Sequence, residues 1–380
     1  MNNSCELIVL QRIVPHYRAS FFEKLFSQTG WKVVCDSTYP SDNTNRVTNK
    51  DYIVEYPSTY IKQSGRTIVM PPVGRILKEM RPAAVISEFS LNMSSTYELA
   101  ARRLFSGRSP KLAYYTHGYN PHRQAAGFGN AILQRARIPI LGIADHVILY
   151  TADGDRFLRD YVRPERISVA NNTLDIQPMR ELAKRFPFRK TARGPNLIAV
   201  GRAVPDKNYP VLVETFRRLL RDYPEAILTI VGDGPDMPAV RAAVGEMINR
   251  NVMLLGEIYD EERLAEIFSS QDLFLLTGSA GLSINHALAY GIPVLAFKGG
   301  PPDGPFHHPE IAYIKDDVTG WIVEENSYDS MISLIQKIFG RGSPREMLSG
   351  TIRQFVDDNL DIDHMVSTFV TVGRGLLSKA

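Results

Sequence analysis

Thr277-Gly278-Ser279-Ala280-Gly281-Leu282-Ser283-Ile284-Asn285-His286-Ala287-Leu288-Ala289-Tyr290-Gly291-Ile292-Pro293-Val294 is the most informative stretch of this chain. Apolar residues 273–276 precede it. Small residues follow, then a run with helical apolar spacing, then Gly291, Pro293 and a second apolar run. Glycine closing a helix and proline opening a strand are ordinary stop and start signals. The pattern is strand, loop, helix, strand, the repeating unit of a parallel sheet. A small-residue loop that opens into a helix leaves backbone N–H groups free at the positive end of a dipole, where an anion can bind. Ser283 is placed either to cap this helix or to donate to a phosphate. His286, one turn in, is placed either to pack or to reach a ribose hydroxyl.

The alternation extends in both directions. Strands are predicted over 6–11, 31–36, 51–55, 83–87, 112–116, 146–150 and 167–170, and again over 196–200, 226–231, 252–255, 273–276, 293–296 and 321–323. Most are apolar throughout, as strands covered on both faces should be, and amphipathic helices such as 210–222 and 261–270 intervene. Strand and helix alternating twice over predicts an α/β chain of two doubly wound Rossmann-type domains. Phe186-Pro187-Phe188-Arg189-Lys190-Thr191-Ala192-Arg193-Gly194-Pro195 interrupts both periodicities. The expected domains are therefore 1–188 and 189–359, with a last helix, about 360–380, packing back on the first.

The 380 residues, 44% hydrophobic and 22% charged, suit two soluble domains. Two cysteines exclude a disulfide framework, and no Cys/His spacing suggests zinc. The amino terminus lacks the pattern of a signal peptide, and no apolar run reaches spanning length. A cytoplasmic protein is expected, peripheral on the inner face of the cytoplasmic membrane if attached at all. Charge is uneven: residues 1–190 hold 27 Lys and Arg against 16 Asp and Glu, and residues 191–380 hold 17 against 25. Between 101 and 150 seven cations (Arg102, Arg103, Arg108, Lys111, Arg123, Arg135, Arg137) interleave with Leu104, Phe105, Phe128, Ile132 and Leu133. That mixture suits an anionic bilayer, though a solvated face would share it; with no recognition helix or RNA platform, nucleic acid fits less well.

Ligands of open α/β sheets bind beyond the carboxyl ends of strands, so the loops there hold the candidate site. Gly201-Arg202 and Lys207 follow one strand; a guanidinium and an ammonium suit a diphosphate, and an ordinary solvated loop would also carry them. Val231-Gly232-Asp233-Gly234-Pro235 follows the next, where glycines permit close approach of a ligand or of a neighbouring loop. Gly256-Glu257-Ile258-Tyr259-Asp260 follows the third, with Asp260 free to cap the next helix. In the first half, Pro15-His16-Tyr17-Arg18 and Tyr115-Thr116-His117-Gly118 occupy equivalent positions, as site residues or as structural turns.

In this order the motifs resemble glycosyltransferase family 4, the retaining transferases of the GT-B fold, in which two such domains face each other across a cleft. The likeness is clear over about 196–323. It implies donor diphosphate contacts from Gly201, Arg202 and Lys207, a Gly-rich turn at Gly232, and a nucleobase segment at Gly256, Ile258 and Asp260. It also implies phosphate-facing N–H groups at Gly281 and Leu282, with Ser283 beside them. The family's two glutamates, eight residues apart, fall here on Gly278 and His286. A bacterial cell-surface polysaccharide and lipopolysaccharide subgroup resembles this arrangement, with a downstream His-x-Pro-Glu; here His307-His308-Pro309-Glu310 stands there. Glu310 is expected either to replace the lost carboxylate or to sit as a helix-terminal acid.

The resemblance implies a hexosyl transfer from a nucleoside-diphosphate sugar to a glycan or polyprenyl-diphosphate-linked acceptor, with retention. No carboxylate cluster calls for a metal, so metal-independent turnover is expected, with no cofactor beyond the donor substrate. His117, Arg202 and Lys207 would serve catalysis, Gly201, Gly232, Ile258, Asp260, Gly278, Gly281, Leu282, Ser283, His286 and Glu310 the donor, and His16 and Arg18 the acceptor. Two other classes stay open: a sugar-nucleotide epimerase of similar fold, and a nucleotide-sugar-binding protein without turnover.

Overall fold

The computed structural model describes residues 5–39, 46–63, 66–107, 109–119, 128–191, 193–300 and 304–380. Contacts divide the chain into two compact units. One holds the described residues up to Asp175 together with Ile362–Ala380; the other is Ile176–Asp361.

The first unit is built on β1 (Leu7–Leu10), β2 (Lys32–Asp36), β3 (Ile53–Tyr56), β4 (Thr59–Gln63), β5 (Arg66–Met70), β6 (Ala84–Glu88), β7 (Lys111–Thr116), β8 (His146–Leu149) and β9 (Ile167–Val169). Its helices are α1 (Ala19–Thr29), α2 (Val73–Met80), α3 (Ser94–Phe105) and α4 (Phe128–Ile143). Seven strands form one parallel sheet in the order β3-β2-β1-β6-β7-β8-β9; β4 and β5 pair apart as an antiparallel hairpin. The hairpin is absent from the sequence reading, because its strands are short and half polar. Apolar alternation along β1 sends Leu7 and Val9 into one core and Ile8 and Leu10 into another, on opposite faces of the sheet.

The second unit contains α5 (Gln177–Arg185), β10 (Asn196–Val200), α6 (Tyr209–Leu219), β11 (Ile227–Val231), α7 (Met237–Val244), β12 (Val252–Leu254), α8 (Glu261–Phe268), β13 (Leu273–Leu276), α9 (Ser283–Ala289), β14 (Val294–Phe297), β15 (Gly320–Val323), α10 (Tyr328–Phe339) and α11 (Pro344–Asn359). Its six parallel strands run β12-β11-β10-β13-β14-β15. Residues 176–188, which the sequence reading joins to the first domain, pack here, with α5 against α8 and α9. The chain then returns through α12 (Ile362–Leu377), which lies on α1 in the first unit. Phe369 of α12 meets Phe21 and Tyr115 edge-on, with centroids 4.9 and 5.0 Å apart. A Cβ at Gly373 would come within 2.2 Å of the Trp31 ring, so this helix seats only with a glycine there.

In each sheet the strand order reverses at one place: between β1 and β6 in the first, and between β10 and β13 in the second. Loops leaving adjacent strands in opposite directions open a crevice at such a point. The candidate residues cluster at both.

Candidate functional site

In the second unit, the loops after β10 and β13 are joined by their backbones. The 3-10 turn Pro205–Lys207 leads to Asn208, held in the left-handed region at φ 52°. Ser279 N–H donates to Asp206 O at 2.7 Å, Lys207 Nζ to Ser279 O at 2.7 Å, and Thr277 Oγ1 to Asn208 O at 3.2 Å. Contact this close needs a residue with no side chain. A Cβ at Gly278 would lie 2.2 Å from the Lys207 carbonyl. Burial lowers the Lys207 ammonium pKa, while the Asp206 and Glu310 carboxylates oppose that shift.

A second segment clips to the same loop. His307 is 8% exposed. Its Nδ1 accepts the Ala280 N–H at 3.0 Å, and its Nε2 lies 2.9 Å from Phe297 O. Accepting at Nδ1 requires the neutral ring with the proton on Nε2, donated to Phe297. Burial pushes the His307 pKa down to about 4 and keeps it neutral. His308 N–H donates to Ala280 O at 3.1 Å. Glu310, opening the 3-10 turn Pro309–Tyr313, is buried and close enough for its charge to act on Lys207. Lys207, Gly278, Gly281 and Glu310 are therefore brought to one place.

The other second-unit candidates stand around that point. Arg202 is exposed at the head of the loop after β10. Gly232 and Gly234 support this loop: Cβ atoms there would come within 2.0 Å of Gly201 O and 2.3 Å of Ala203 O. Gly232 N–H also donates to Gly256 O at 2.7 Å, linking the loops after β11 and β12. Asp260 caps α8, its Oδ1 accepting from Glu262 N–H at 2.9 Å and Arg263 N–H at 3.2 Å. Ile258 is half-buried, two strands from β10. Ser283 is the first residue of α9, and Leu282 holds the cap position; Ser283 is therefore not the cap that the sequence allowed. His286 is half-buried, and desolvation pushes it down to about 4.

In the first unit, Arg12 on the loop after β1 meets Glu88 at the end of β6. Its backbone N–H donates to Oε2 at 3.0 Å and its Nη2 to Oε1 at 2.9 Å. Burial pushes the Glu88 carboxyl up, but Arg12, by charge and hydrogen bonds, and Arg18 by charge outweigh it, so the carboxylate persists. The two residues line a cavity of about 270 Å³ with Gln11, Tyr17, Arg18 and Tyr150. Arg18 is 5% exposed: Nη2 donates to Asn172 Oδ1 at 2.8 Å, and the guanidinium lies 5.0 and 5.4 Å from the Tyr115 and Tyr150 ring centres. His117, after β7, meets Tyr150 edge-on at 4.2 Å. Tyr150 thus touches both His117 and Arg18, whereas His16 is exposed on the adjoining turn. The sequence reading missed Arg12 and Glu88. Their only signal is a charged residue just past each of two apolar strands.

The comparisons with known proteins agree with this fold. Residues 181–355 match the family of glycosyl transferases group 1. An exopolysaccharide phosphotransferase of Streptomyces coelicolor is 24% identical over 273 residues, covering 70% of this chain and 26% of that protein. An uncharacterized glycosyltransferase of Methanocaldococcus jannaschii is 20% identical over 62% of this chain and 59% of its own length. The chain spans less than two thirds of either relative. Among solved structures, sucrose-phosphate synthase of Thermosynechococcus elongatus aligns with a TM-score of 0.70 at 16% identity, over 99% of this chain and 100% of that one. The lipopolysaccharide outer core galactosyltransferase WaaB gives 0.66 at 16%, over 96% and 99%. Anabaena Alr3699/HepE in complex with UDP gives 0.63 at 12%, over 97% and 99%. At these identities the likeness is one of fold. Residues 181–355 are thus similar to the glycosyl transferases group 1 family, within a chain that has the GT-B fold.

Proposed function

We propose that this chain transfers a hexosyl group from a nucleoside-diphosphate sugar to a glycan or lipid-linked acceptor in cell-surface polysaccharide or lipopolysaccharide synthesis, with retention. The observation that carries this reading is the joined switch point of the second unit, where Lys207 is fixed against Ser279 O. A diphosphate there would meet Lys207 and Arg202 as donors already in place, so the charge developing on the leaving group is stabilised without reorganisation. Two cations suffice for that task, and turnover is expected to need no metal. His117 would lie against the transferred sugar and the Arg12–Glu88 cavity would receive the acceptor. The leaving phosphate would take the proton of the attacking hydroxyl as the new glycosidic bond forms.

Buried Glu310 beside Lys207 supports the view that one carboxylate still serves the donor despite glycine at 278. The basic first half supports an anionic membrane as partner; Arg108 and Arg123 of its cation run, and the side chains of Phe128, Ile132 and Leu133, lie outside the described residues. A panel of nucleotide sugars, beginning with UDP-sugars, incubated with glycan acceptors and read by mass spectrometry tests the proposal. Acceptor heavier by one hexose supports it. Interconversion of the nucleotide sugar would mark an epimerase, and saturable binding without turnover would mark a binding protein; either would end it.

A further inference from the structure

The amino ends of parallel strands share one rim of a sheet, opposite the rim that carries the candidate site. In the first unit the rim stretch from β6 to β9 holds two basic cavities. One, of about 730 Å³, is lined by Arg103, Lys111, Arg163, Arg166 and Lys379 against the acids Asp145 and Glu165. The other, of about 450 Å³, is lined by Lys78, Arg81 and Arg102, with no acid among the described residues of its wall. Arg102 and Arg103 are neighbours on the last turn of α3, so one helix end divides the two cavities. That helix end finishes in Leu104, 58% exposed, and Phe105, 87% exposed.

The acids here are already engaged. Asp145 binds Arg103 at 2.7 Å and Lys111 at 3.7 Å, Glu165 binds Arg163 at 3.3 Å, and Glu98 binds Arg102 at 2.8 Å. Arg166 is spent on the carbonyls of Gly142 and Ala144, where α4 ends. A net positive potential remains. His146 lines the larger cavity, and burial first, then the charges of Lys379 and Arg166, push its pKa down to about 4. Elsewhere on the rim the signs are mixed, with Glu6 before β1, Lys32 opening β2, and Lys50 and Asp51 before β3, so the cations are densest along β6–β9.

An exposed phenylalanine between two cationic hollows is the chemistry of a bilayer interface: an aromatic ring for the headgroup layer and cations for its phosphates. We propose that the β6–β9 rim of the first unit docks on an anionic bilayer, with Phe105 entering the headgroup layer and lipid phosphates seated in the two basic cavities. This rests on the reading of the basic half as the membrane-facing one, and names the surface. It also sets an orientation. Glu88 ends β6 at the opposite rim, and five strand residues span about 17 Å. The candidate acceptor cavity therefore stands clear of the headgroups, and its acceptor must reach out from the membrane by at least a strand length.

The test uses the full chain and vesicles of phosphatidylcholine alone or with 30% phosphatidylglycerol, separated by flotation. Wild type should float with the anionic vesicles only, and less at high salt. Lys78→Glu with Lys379→Glu should lower binding at least tenfold, and Phe105→Ser several-fold. Lys184→Glu with Lys337→Glu, the same charge change at exposed sites of the second unit, should leave binding unchanged. Equal loss in both double variants, or no loss in either, overturns the assignment of this surface even if wild type floats. Absence of wild-type binding overturns the membrane reading as well. Transfer to a soluble acceptor without vesicles, measured on the same proteins, should be equal in all; its absence in wild type would count against the proposed activity and leave the flotation result standing.

Discussion

Gly278 packs so tightly on Lys207 that a Cβ at position 278 would lie 2.2 Å from the Lys207 carbonyl oxygen. The family's first glutamate is expected at this position. Its replacement is thus more than a missing carboxylate, because the backbone has closed into the space that a side chain would need. Restoring the family residue should not restore a family-like site. Gly278→Glu should separate the two loops and abolish turnover. Gly278→Ala should cost about 1–3 kcal/mol of stability, as overpacking does. Urea unfolding midpoints and transfer rates check both; wild-type values in Gly278→Glu would refute the closed-loop account.

Arg202 and Lys207 should separate by experiment. Arg202 is exposed, so Arg202→Ala should weaken nucleotide-sugar use by about 1.5–3 kcal/mol, roughly 10- to 150-fold, with little change in unfolding. Lys207 is also tied to Ser279 O, so Lys207→Ala should lose both turnover and stability. Steady-state kinetics and thermal melts on the two variants measure this difference. Excess EDTA should leave wild-type turnover intact; loss restored by a divalent ion would contradict leaving-group stabilisation by these cations.

The His307 clip predicts a pH dependence with a definite sign. The bonded form is the neutral ring, and its pKa falls from the ordinary 6.5 to about 4 on folding. This contribution is complete above pH 6.5 and drains away as pH falls towards 4, by roughly 3 kcal/mol. His146 and His286, also pushed down to about 4, add in the same direction. His307→Ala should be less stable at pH 7.5, and its decline on acidification shallower. Equilibrium unfolding from pH 7.5 to 4.5 measures the two slopes; parallel curves would contradict the clip.

Glu88 predicts a change confined to the acceptor. Glu88→Gln keeps the shape but drops the charge that faces Arg12 and Arg18. The acceptor KM should rise about tenfold or more while nucleotide affinity, measured by calorimetry, stays as in wild type. A matching loss of nucleotide affinity would remove the cavity from the acceptor side.

The strands were legible because both sheets are buried on both faces, which leaves short apolar runs such as Leu273–Leu276, bounded by turn residues, as a covered strand does. The hairpin Thr59–Gln63 with Arg66–Met70 escaped because half its positions are polar. Among site residues, the cap role of Asp260 was readable from its place before a helix. The pairing of Arg12 with Glu88 was not, because 76 residues separate them and only the strand order puts β1 beside β6. Gly278 was readable as a missing glutamate; its contact with Lys207 depends on two loops meeting, which no local pattern records. Residues 176–188 were given to the first domain because they precede the break at 186–195, but which unit α5 joins is a matter of packing.

The central claim is that this chain moves a sugar with the second unit's cations holding the leaving diphosphate. The most direct measurement is the rate of acceptor glycosylation by wild type, Lys207→Ala and Arg202→Ala at saturating donor, read as product mass. The account predicts a product one hexose heavier from wild type and a rate at least tenfold lower in each variant. Equal rates in all three proteins, or a wild type that binds nucleotide sugar and forms no product, would contradict it.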